Sequence, residues 1–251
     1  MTVRVLILGG TGEARDLAAA LHGRPGIEVT SSLAGRVSNP ALPAGPTVIG
    51  GFGGTAGLAS YLAEHDITAL VDATHPFART ISQHAADAAP RAGVPLLRLN
   101  RPGWTAAAGD RWHLVATIDD AAAAIQQHTA AGACVFLTTG RRELAPFAAD
   151  ADRRYLIRAV DPPDPAALPP HATVLLDRGP YSRETERDLM AMHDVRVLVS
   201  RNSGGTMTYA KMEAARDLGL SVVLLDRPAG PDPPPPTVET VPAAIAWCLN
   251  R

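Results

Sequence analysis

The stretch VRVLILGGTGEAR, from Val3 to Arg15, decides the fold. Its first six residues form a short apolar run of the kind found in buried parallel strands. The glycines that follow allow a sharp backbone turn, and a helical pattern over Gly12–His22 begins at once. A strand, a glycine turn and a helix in this order are typical of a nucleotide-binding βαβ unit, whose first helical amides face a pyrophosphate.

The glycine turn matches the dinucleotide fingerprint G-x-G-x-x-G only in part. Gly10 and Gly12 have the spacing of the first two glycines, but Arg15 stands where the third is expected. A Walker P-loop is excluded because no Gly-Lys-Ser/Thr follows. A plain tight turn is the alternative, and the flanking strand and helix favour the nucleotide-binding interpretation. The predicted cofactor-binding residues here are Gly9, Gly10, Thr11, Gly12, Glu13, Ala14 and Arg15.

The second predicted strand indicates which nucleotide is bound. NAD-specific sites usually carry a carboxylate near the end of this strand, where it holds the ribose hydroxyls. The chain instead reads VTSSLAGR from Val29 to Arg36, with hydroxyls and an arginine that suit a 2′-phosphate. We therefore predict NADPH as the cofactor, bound in part by Ser32, Gly35 and Arg36. Taken alone, Arg36 fits a solvated loop cation equally well.

Two more strand ends in the first half complete the predicted cofactor site. The run GGFGG over Gly50–Gly54 offers a second close backbone approach, through Gly51 and Gly53. The run from Asp72 to Phe77 follows another strand, so it falls at the same edge of a parallel sheet. We predict that Asp72, Ala73, Thr74, His75, Pro76 and Phe77 contact the cofactor. His75 is also the candidate proton donor, with a capping or core histidine as the alternative.

Short apolar runs alternate with helical patterns along the whole chain, which predicts an α/β fold. We expect two Rossmann-like halves with mostly parallel sheets and a ligand cleft between them. A break at 101–110 predicts an NADP-binding domain at 1–102 and a substrate-binding domain at 103–251. The predicted strands are Val3–Leu8, Glu28–Ser32, Thr47–Ile49, Ala69–Ala73, Pro95–Leu99, Trp112–Ala116, Cys134–Thr138, Tyr155–Val160, Thr173–Leu176, Val195–Ser200 and Ser221–Leu225. The predicted helices are Gly12–His22, Thr55–His65, Pro76–Ala92, Ile118–Ala131, Ser182–His193, Met207–Leu218 and Val241–Leu249.

Polar residues recur at the strand ends of the second half. Several arginines facing one cleft suit a substrate with many carboxylates, through charge-assisted bonds. For a single arginine a surface role is the alternative, and the repeated placement favours binding. Glu184 and Glu186 are expected on a solvated helix face. The predicted substrate-binding residues are Arg101, Trp104, Thr139, Gly140, Arg141, Arg178, Tyr181, Ser200, Arg201, Asn202, Ser203, Gly204, Gly205, Thr206 and Lys211.

Composition excludes several classes of protein. Of the 251 residues, 46% are hydrophobic and 19% charged, which is a globular mixture, and a net charge of −2 argues against nucleic acid as a partner. No run of eighteen apolar residues would span a membrane, and the N-terminus lacks a signal-peptide layout, so we expect a cytoplasmic protein. Cys134 and Cys248 have neither disulfide nor zinc spacing, so we expect buried thiols and no metal.

Two other chemistries are excluded by missing motifs. A short-chain dehydrogenase needs Tyr-x-x-x-Lys, but Tyr209 is followed at this spacing by Glu213 and Tyr181 by Thr185. The G-x-S-x-G elbow of serine hydrolases is not present.

The ordered set of motifs resembles the precorrin-6A reductase family over nearly the whole chain. The motifs are Gly9–Arg15, Ser32–Arg36, Gly50–Gly54, Asp72–Ala78, Arg178–Pro180 and Asn202–Gly205, with Arg227-Pro228 at the end. Asp72–Ala78 is the most specific of them. Two departures are Arg201, where the family usually has lysine, and Tyr181, where it usually has phenylalanine.

The resemblance implies an enzyme of cobalamin (vitamin B12) biosynthesis that reduces one double bond of precorrin-6A with NADPH to give precorrin-6B. It implies two Rossmann-like halves holding cofactor and tetrapyrrole, with arginines on the acetate and propionate groups. Alternatives are the cobalt-containing version of the reaction and a non-catalytic NADP-binding sensor. The sequence does not predict the oligomeric state.

Overall fold

The computed structural model of the chain describes residues 2–35, 38 and 40–251. It divides into two compact units. Unit 1 comprises Met1–Pro102 and Pro228–Arg251, and unit 2 comprises Gly103–Arg227. Each unit is built on its own parallel six-stranded sheet, which confirms the predicted α/β class with two Rossmann-like halves.

Unit 1 has the strand order of a dinucleotide-binding fold. The strands are β1 (Val3–Leu8), β2 (Ile27–Leu33), β3 (Thr47–Ile49), β4 (Ala69–Asp72), β5 (Leu96–Leu99) and β12 (Thr237–Val238). The sheet runs β12-β5-β4-β1-β2-β3, and every pairing in it is parallel. This is the 3-2-1-4-5-6 order of doubly wound sheets, so the order reverses between β1 and β4. The helices are α1 (Gly12–Leu21), α2 (Gly54–Glu64), α3 (Arg79–Ala92) and α7 (Val241–Leu249).

The apolar run of β1 explains why helices cover both faces of this sheet. Alternate side chains of a strand point to opposite faces. Val5 and Ile7 join the core cluster that contains residues of α1 and α7. Leu6 and Leu8 join the cluster that contains residues of α2 and α3. All four are buried, so β1 lies at the centre of the unit.

Unit 2 repeats this arrangement with different connections. The strands are β6 (Arg111–Val115), β7 (Cys134–Leu137), β8 (Arg154–Ala159), β9 (Ala172–Leu176), β10 (Val195–Arg201) and β11 (Ser221–Leu225). The sheet runs β6-β11-β10-β7-β8-β9, again with all pairings parallel. The α-helices are α4 (Ile118–His128), α5 (Arg183–Met192) and α6 (Ala210–Asp217), and short 3₁₀ turns lie at Ala145–Phe147 and Pro165–Ala167.

The C-terminal segment corrects the predicted domain boundary. We expected 103–251 to form the second domain, but Pro228–Arg251 belongs to unit 1. Strand β12 pairs with the edge strand β5, and α7 contributes Ala244 and Cys248 to the core cluster around β1. The apolar face of α7 is therefore buried in unit 1. The sequence-based boundary was wrong because it grouped this helix with its neighbours along the chain.

The start of helix α3 differs from the sequence-based expectation. Helix α3 begins at Arg79, not at Pro76, because the amide of Phe77 donates to Nδ1 of His75 and the amide of Ala78 to its carbonyl. This leaves residues 75–78 as a turn at the end of β4. The two cysteines are buried thiols, as expected. Within the described part of the chain, no helix has the length and apolar character needed to cross a membrane.

Candidate active site

The switch point of unit 1 brings together two of the predicted cofactor motifs. Strands β1 and β4 are neighbours, so the glycine turn after Leu8 and the run after Asp72 lie side by side at the carboxyl edge. Ligands of open α/β sheets bind at this place. A small concavity lies there, lined by Thr11, Glu13, Thr74, Pro76, Leu99, Asn100 and Arg101.

The glycine turn is shaped for close approach of a ligand to the backbone. Gly10 has a φ of +113°, which disfavours any other residue, and no atom lies within 4 Å of the place where a Cβ would stand. Thr11 caps α1, since its Oγ1 accepts from the amide of Ala14 at 3.1 Å. The same hydroxyl donates to the carbonyl of Ala73 at 2.8 Å, so one buried side chain joins the turn to the end of β4.

Glu13 in the first turn of α1 would by itself disfavour an anion. Arg101 offsets it, because Nη1 of Arg101 lies 2.6 Å from Oε2 of Glu13. Both side chains are mostly buried, with 15% and 27% of them exposed. The amino end of α1 therefore keeps the positive end of its dipole beside a neutralised carboxylate. Arg101, predicted to bind substrate, belongs to unit 1 and lines the same concavity as Glu13.

Asp72 organises the run that follows β4. Its Oδ1 accepts from the amide of Thr74 at 3.1 Å and from the Thr74 hydroxyl at 2.7 Å. Nε of Arg98 lies 3.7 Å from the other carboxylate oxygen. Only 2% of Asp72 is exposed. These contacts favour a positioning role, in which Asp72 fixes Thr74 and the turn beyond it.

His75 is half-buried and held by its own turn. Because Nδ1 accepts from the Phe77 amide at 3.2 Å, the neutral ring carries its proton on Nε2. The rings of His75 and Phe77 are 5.7 Å apart at their centroids. The structure therefore fixes the tautomer that a proton donor at this position would use.

The end of β2 carries hydroxyls and no carboxylate among its described residues. Ser31 and Ser32 are both buried, and Oγ of Ser31 has no hydrogen-bond partner in the part of the chain that is described. Glu28, the acid of this strand, lies at the opposite end, paired with Arg4. Gly35 has a φ of +65°. Arg36, predicted to bind the 2′-phosphate, lies outside the described residues.

The glycine-rich run before α2 packs closely against the first turns of this helix. A Cβ on Gly57, in the first turns of α2, would stand 1.7 Å from the carbonyl oxygen of Phe52. Gly53 caps the helix with a φ of +79° and no side-chain hydrogen bond. Gly51 and Gly53 are exposed, as a backbone surface for a ligand requires. Gly57 was not selected from sequence, since its role depends on a contact along the folded loop.

Unit 2 has its own switch point, between β7 and β10. The residues after β7 include Thr139, which is 2% exposed and whose Oγ1 lacks a hydrogen-bond partner among the described residues. Gly140 follows with a φ of +89°. The residues after β10 begin at Asn202, so two of the predicted substrate motifs meet at the carboxyl edge of this sheet. Ser200 lies within β10, and Ser203, Gly204, Gly205 and Thr206 follow Asn202 in the same segment.

The arginines of this edge have acidic neighbours that sequence reasoning did not select. Nη2 of Arg201 lies 2.7 Å from Oε2 of Glu143. Nη2 of Arg141 lies 3.7 Å from Oδ2 of Asp161, which follows β8. Arg178 is exposed after β9. Glu143 and Asp161 lie in the segments after β7 and β8, but nothing in the sequence pairs them with these arginines.

The Asn202 side chain and the Trp104 backbone form a hydrogen-bonded brace. Oδ1 of Asn202 accepts from the Trp104 amide at 2.7 Å, and its Nδ2 donates to the Trp104 carbonyl. Nε1 of Trp104 donates to the Gly205 carbonyl at 2.7 Å. Arg227 adds bonds to the carbonyls of Asn202 and Ser203. These contacts hold the Asn202–Gly205 loop in place.

Lys211 lies in a buried charge cluster with Arg158 and Glu186, on the side of the sheet covered by α5 and α6. Only 5% of Lys211 is exposed, and burial, then the charge of Arg158, lower its pKa to about 7 against the opposing effect of Glu186. Nη1 of Arg158 lies 2.7 Å from Oε1 of Glu186. The solvated face expected for Glu186 is wrong, because only 1% of this residue is exposed. Arg158 lies inside the apolar strand β8, and a buried arginine requires an acidic partner, so its position was the sequence signal for this ion pair.

Aromatic rings enclose this cluster. The guanidinium carbon of Arg158 lies 3.7 Å from the centroid of the Tyr181 ring and 5.0 Å from that of Phe136. Nζ of Lys211 lies 5.4 Å from the centroid of the Trp104 ring. Burial raises the pKa of the Tyr181 phenol. Tyr181 therefore contacts the cluster through its ring, as a cation–π partner of Arg158.

The glycine turn at the β1/β4 switch point, in a sheet of this order, is the arrangement found in dinucleotide-binding Rossmann-like folds. The model of the precorrin-6x reductase CbiJ/CobK family matches residues 4–249. The chain belongs to this family and is a reductase of cobalamin biosynthesis that acts on a CH–CH group.

The relatives agree with this assignment. A precorrin-6A reductase of Rhodococcus erythropolis is 52% identical, covering 97% of this chain and 96% of its own. One of Mycobacterium tuberculosis is 49% identical, over 91% and 90% of the two chains. A cobalt-precorrin-6A reductase of Priestia megaterium is 29% identical over 89% and 90%. The solved structure of a CobK precorrin-6A reductase superimposes with a TM-score of 0.92 at 41% identity, covering all of this chain and 97% of that one.

Proposed function

We propose that this protein reduces one double bond of precorrin-6A with NADPH and gives precorrin-6B. The observation that carries the proposal is the glycine turn at the β1/β4 switch point, in a chain of the precorrin-6x reductase family. Its neighbour β4 leads into the His75 turn at the same edge. A cofactor and an acid–base group therefore share one side of unit 1.

The choice of NADPH over NADH is supported by the end of β2. An NAD site places an acid there for the ribose hydroxyls, and this strand ends on Ser31, Ser32 and Leu33. Its acid, Glu28, lies at the other end of the strand in an ion pair. The serine hydroxyls at the end of the strand and Arg36 beyond it would donate hydrogen bonds to a 2′-phosphate. The described residues at this strand end include no carboxylate that would repel the phosphate.

The proposed cofactor-binding residues act in three groups. Gly9–Arg15 presents amides and the amino end of α1 to the pyrophosphate, with Glu13 neutralised by Arg101. The Gly50–Gly54 run offers exposed backbone. Asp72 orients the Thr74–Phe77 turn against the same edge. Bound NADPH supplies the hydride, and these residues hold it in position and keep water away.

The proposed substrate-binding residues of unit 2 act through charge. Arg141, Arg178 and Arg201 suit the acetate and propionate groups of the macrocycle. The partial exposure of Arg141 and Arg201, at 36% and 25%, leaves their guanidinium groups within reach of an incoming carboxylate. Ser203 and Thr206 add hydroxyls, whereas the Asn202 brace positions the loop that carries them. Lys211 belongs to the predicted set but differs from the arginines in being buried.

We also propose that His75 delivers the proton that accompanies the hydride, from Nε2. The contact of Nδ1 with the Phe77 amide supports this, because it directs the proton of the neutral ring to Nε2, and solvent returns a proton to Nε2 after the transfer. In single turnover at saturating NADPH, His75→Ala should slow reduction of precorrin-6A. Wild-type single-turnover rates in His75→Ala would assign the proton to another donor.

The metal-free substrate is favoured over the cobalt-containing one. Precorrin-6A reductases match this chain at 43–52% identity, and cobalt-precorrin-6A reductases at 26–29%. The experiment is a comparison of substrates and nucleotides by NADPH absorbance. We expect oxidation of NADPH only with a precorrin-6A-type substrate, a higher kcat/KM with precorrin-6A than with its cobalt complex, and a much lower kcat/KM with NADH. Nucleotide binding without turnover of either substrate would favour a sensor.

A further inference from the structure

The buried cluster of Arg158, Glu186 and Lys211 contains two basic side chains and one carboxylate. Arg158 is matched by Glu186 at 2.7 Å. Lys211 has no hydrogen-bond acceptor among the described residues, although 95% of it is buried. A buried ammonium without a partner is strongly unfavourable, so the cluster by itself favours a neutral amine at this position.

The residue type at position 211 is informative because the chain otherwise avoids it. Of the 23 basic residues only Lys211 is a lysine, and the rest are arginines. A guanidinium cannot lose its proton under physiological conditions, whereas an amine does so when it is buried. An arginine here would leave an excess charge in the unliganded protein, and a lysine avoids it.

The location of the amine points to the substrate side of unit 2. Lys211 lies in the first turn of α6, just after the loop that the Asn202–Trp104 brace holds at the carboxyl end of β10. The Trp104 ring lies 5.4 Å from its Nζ, and the indole is itself fixed by a bond to the Gly205 carbonyl. A ligand group that reaches this loop meets the amine beside an aromatic wall.

Resting on the proposed function, we propose that the Arg158–Glu186–Lys211 cluster is a subsite for one carboxylate of the macrocycle, and that Lys211 takes up a proton from solvent when this carboxylate binds. No covalent bond changes in this step. The neutral amine, one solvent proton and the ligand carboxylate become an ammonium–carboxylate pair. When the ligand leaves, the proton returns to solvent.

The groups around Lys211 account for the sign of this change. In the unliganded protein, burial and Arg158 favour the neutral amine, and Glu186 opposes them. The Tyr181 phenol, stacked on Arg158 and with a raised pKa, is neutral at pH 7 to 9. A ligand carboxylate adds a second anion to the cluster, so it favours the ammonium and raises the pKa of Lys211.

The chain's single lysine allows a direct test by NMR. Protein labelled with ¹³C at lysine Cε gives one Lys211 signal, which is followed from about pH 6 to about pH 10 with and without precorrin-6A, in the absence of NADPH. We expect a midpoint near 7 in the free protein and an increase of at least about one pH unit with ligand. An unchanged midpoint on binding, or an ordinary lysine midpoint in the free protein, would overturn the proposal.

Calorimetry in buffers of different ionisation enthalpy provides the second readout. At about pH 8, precorrin-6A binding to the wild type should take up at least about 0.4 proton, and binding to Lys211→Met should take up none. Lys211→Arg should bind without uptake. Arg187→Met, which removes an exposed cation of α5, is the matched control and should keep the wild-type uptake. Equal uptake by wild type and Lys211→Met would refute the inference, and retained turnover would leave the proposed function intact. Failure of precorrin-6A to bind or to oxidise NADPH would refute both.

Discussion

The connections after β1 and after β7 occupy equivalent places in two sheets of the same order, yet they differ in kind. Strands β5-β4-β1-β2-β3 of unit 1 correspond to β11-β10-β7-β8-β9 of unit 2. After β1 the chain turns through glycines into α1, whereas after β7 it passes Ala145–Phe147 and reaches β8 without an α-helix. Strand order therefore places a ligand edge in each unit, and the connection decides which chemistry that edge offers.

The two edges differ in the groups that they offer to a ligand, which are backbone amides in unit 1 and side chains in unit 2. The unit 1 edge offers amides at a helix start, which suit phosphate oxygens. The unit 2 edge offers guanidinium groups in partly exposed ion pairs, Arg201 with Glu143 and Arg141 with Asp161. Such pairs are weak, so a ligand carboxylate competes with them at little cost. The amides of the unit 1 edge suit a dinucleotide, and the guanidinium groups of the unit 2 edge suit a polycarboxylate macrocycle.

The largest effect is expected at Gly10, where the unit 1 edge depends on backbone approach. Gly10→Val should lower kcat/KM for NADPH about 100-fold, because a side chain displaces the pyrophosphate. Gly132→Val, at a turn of unit 2 with a φ of +79° and open space around it, is the matched control. Both variants should lose similar stability in thermal melts. A comparable loss of NADPH affinity in both would show that strain, and not contact, is responsible.

The next effect is expected at Arg201, on the unit 2 edge. Arg201→Gln should raise KM for precorrin-6A about thirtyfold and leave KM for NADPH unchanged, because a charged hydrogen bond is lost. Arg196→Gln lies at the other end of β10, where Arg196 pairs with Asp194 in solvent, and should change neither constant. An equal rise in both KM values in Arg201→Gln would indicate a structural role.

A smaller effect concerns the pH dependence of stability. Since the pKa of Lys211 is lowered from 10.5 to about 7, the folded protein binds fewer protons than the unfolded chain between these values. The free energy of unfolding should therefore rise with pH across this window, by up to about 1.4 kcal/mol per pH unit from this group. Lys211→Met should lack this contribution in urea titrations at several pH values. Parallel curves for the two proteins would contradict the assignment.

The smallest effect compares the helix caps of the two units. Thr11 caps α1 and also bonds the Ala73 carbonyl, whereas Thr117 caps α4 in an exposed capping box. Thr11→Val should lower the free energy of unfolding by about 1.5 kcal/mol and Thr117→Val by about 1 kcal/mol. Equal losses would mean that the bond between the glycine turn and β4 adds nothing to stability.

Much of the fold was predictable because its signals are local. The predicted strand Val3–Leu8 and helix Val241–Leu249 have the observed bounds, since apolar runs and breakers lie within a few residues of each other. The two-residue strand β12 was missed, because its pairing with β5 depends on a partner far away in the chain. The start of α3 was placed three residues early, because the hydrogen bonds of His75 outweigh the preference for proline at a helix start.

The candidate site was predictable to the same extent. The motifs after β1 and β4 lie at one edge, as parallel strands require, and their role in binding stays a prediction. The partners of those residues were not selected. Glu143, Asp161 and Arg98 reach the site through side-chain contacts that no spacing in the sequence encodes.

The sequence alone determined the α/β class, the glycine turn before α1 and the family, because these depend on residue order over short segments. Only the tertiary structure decided that residues 228–251 complete unit 1 and that Lys211, Glu186 and Arg158 form one buried cluster. The physical reason is that burial and charge pairing depend on which segments meet in space. Glu186, expected on a solvated helix face, is buried beside Arg158 of β8 and Lys211 of α6 once α5 and α6 pack on the sheet.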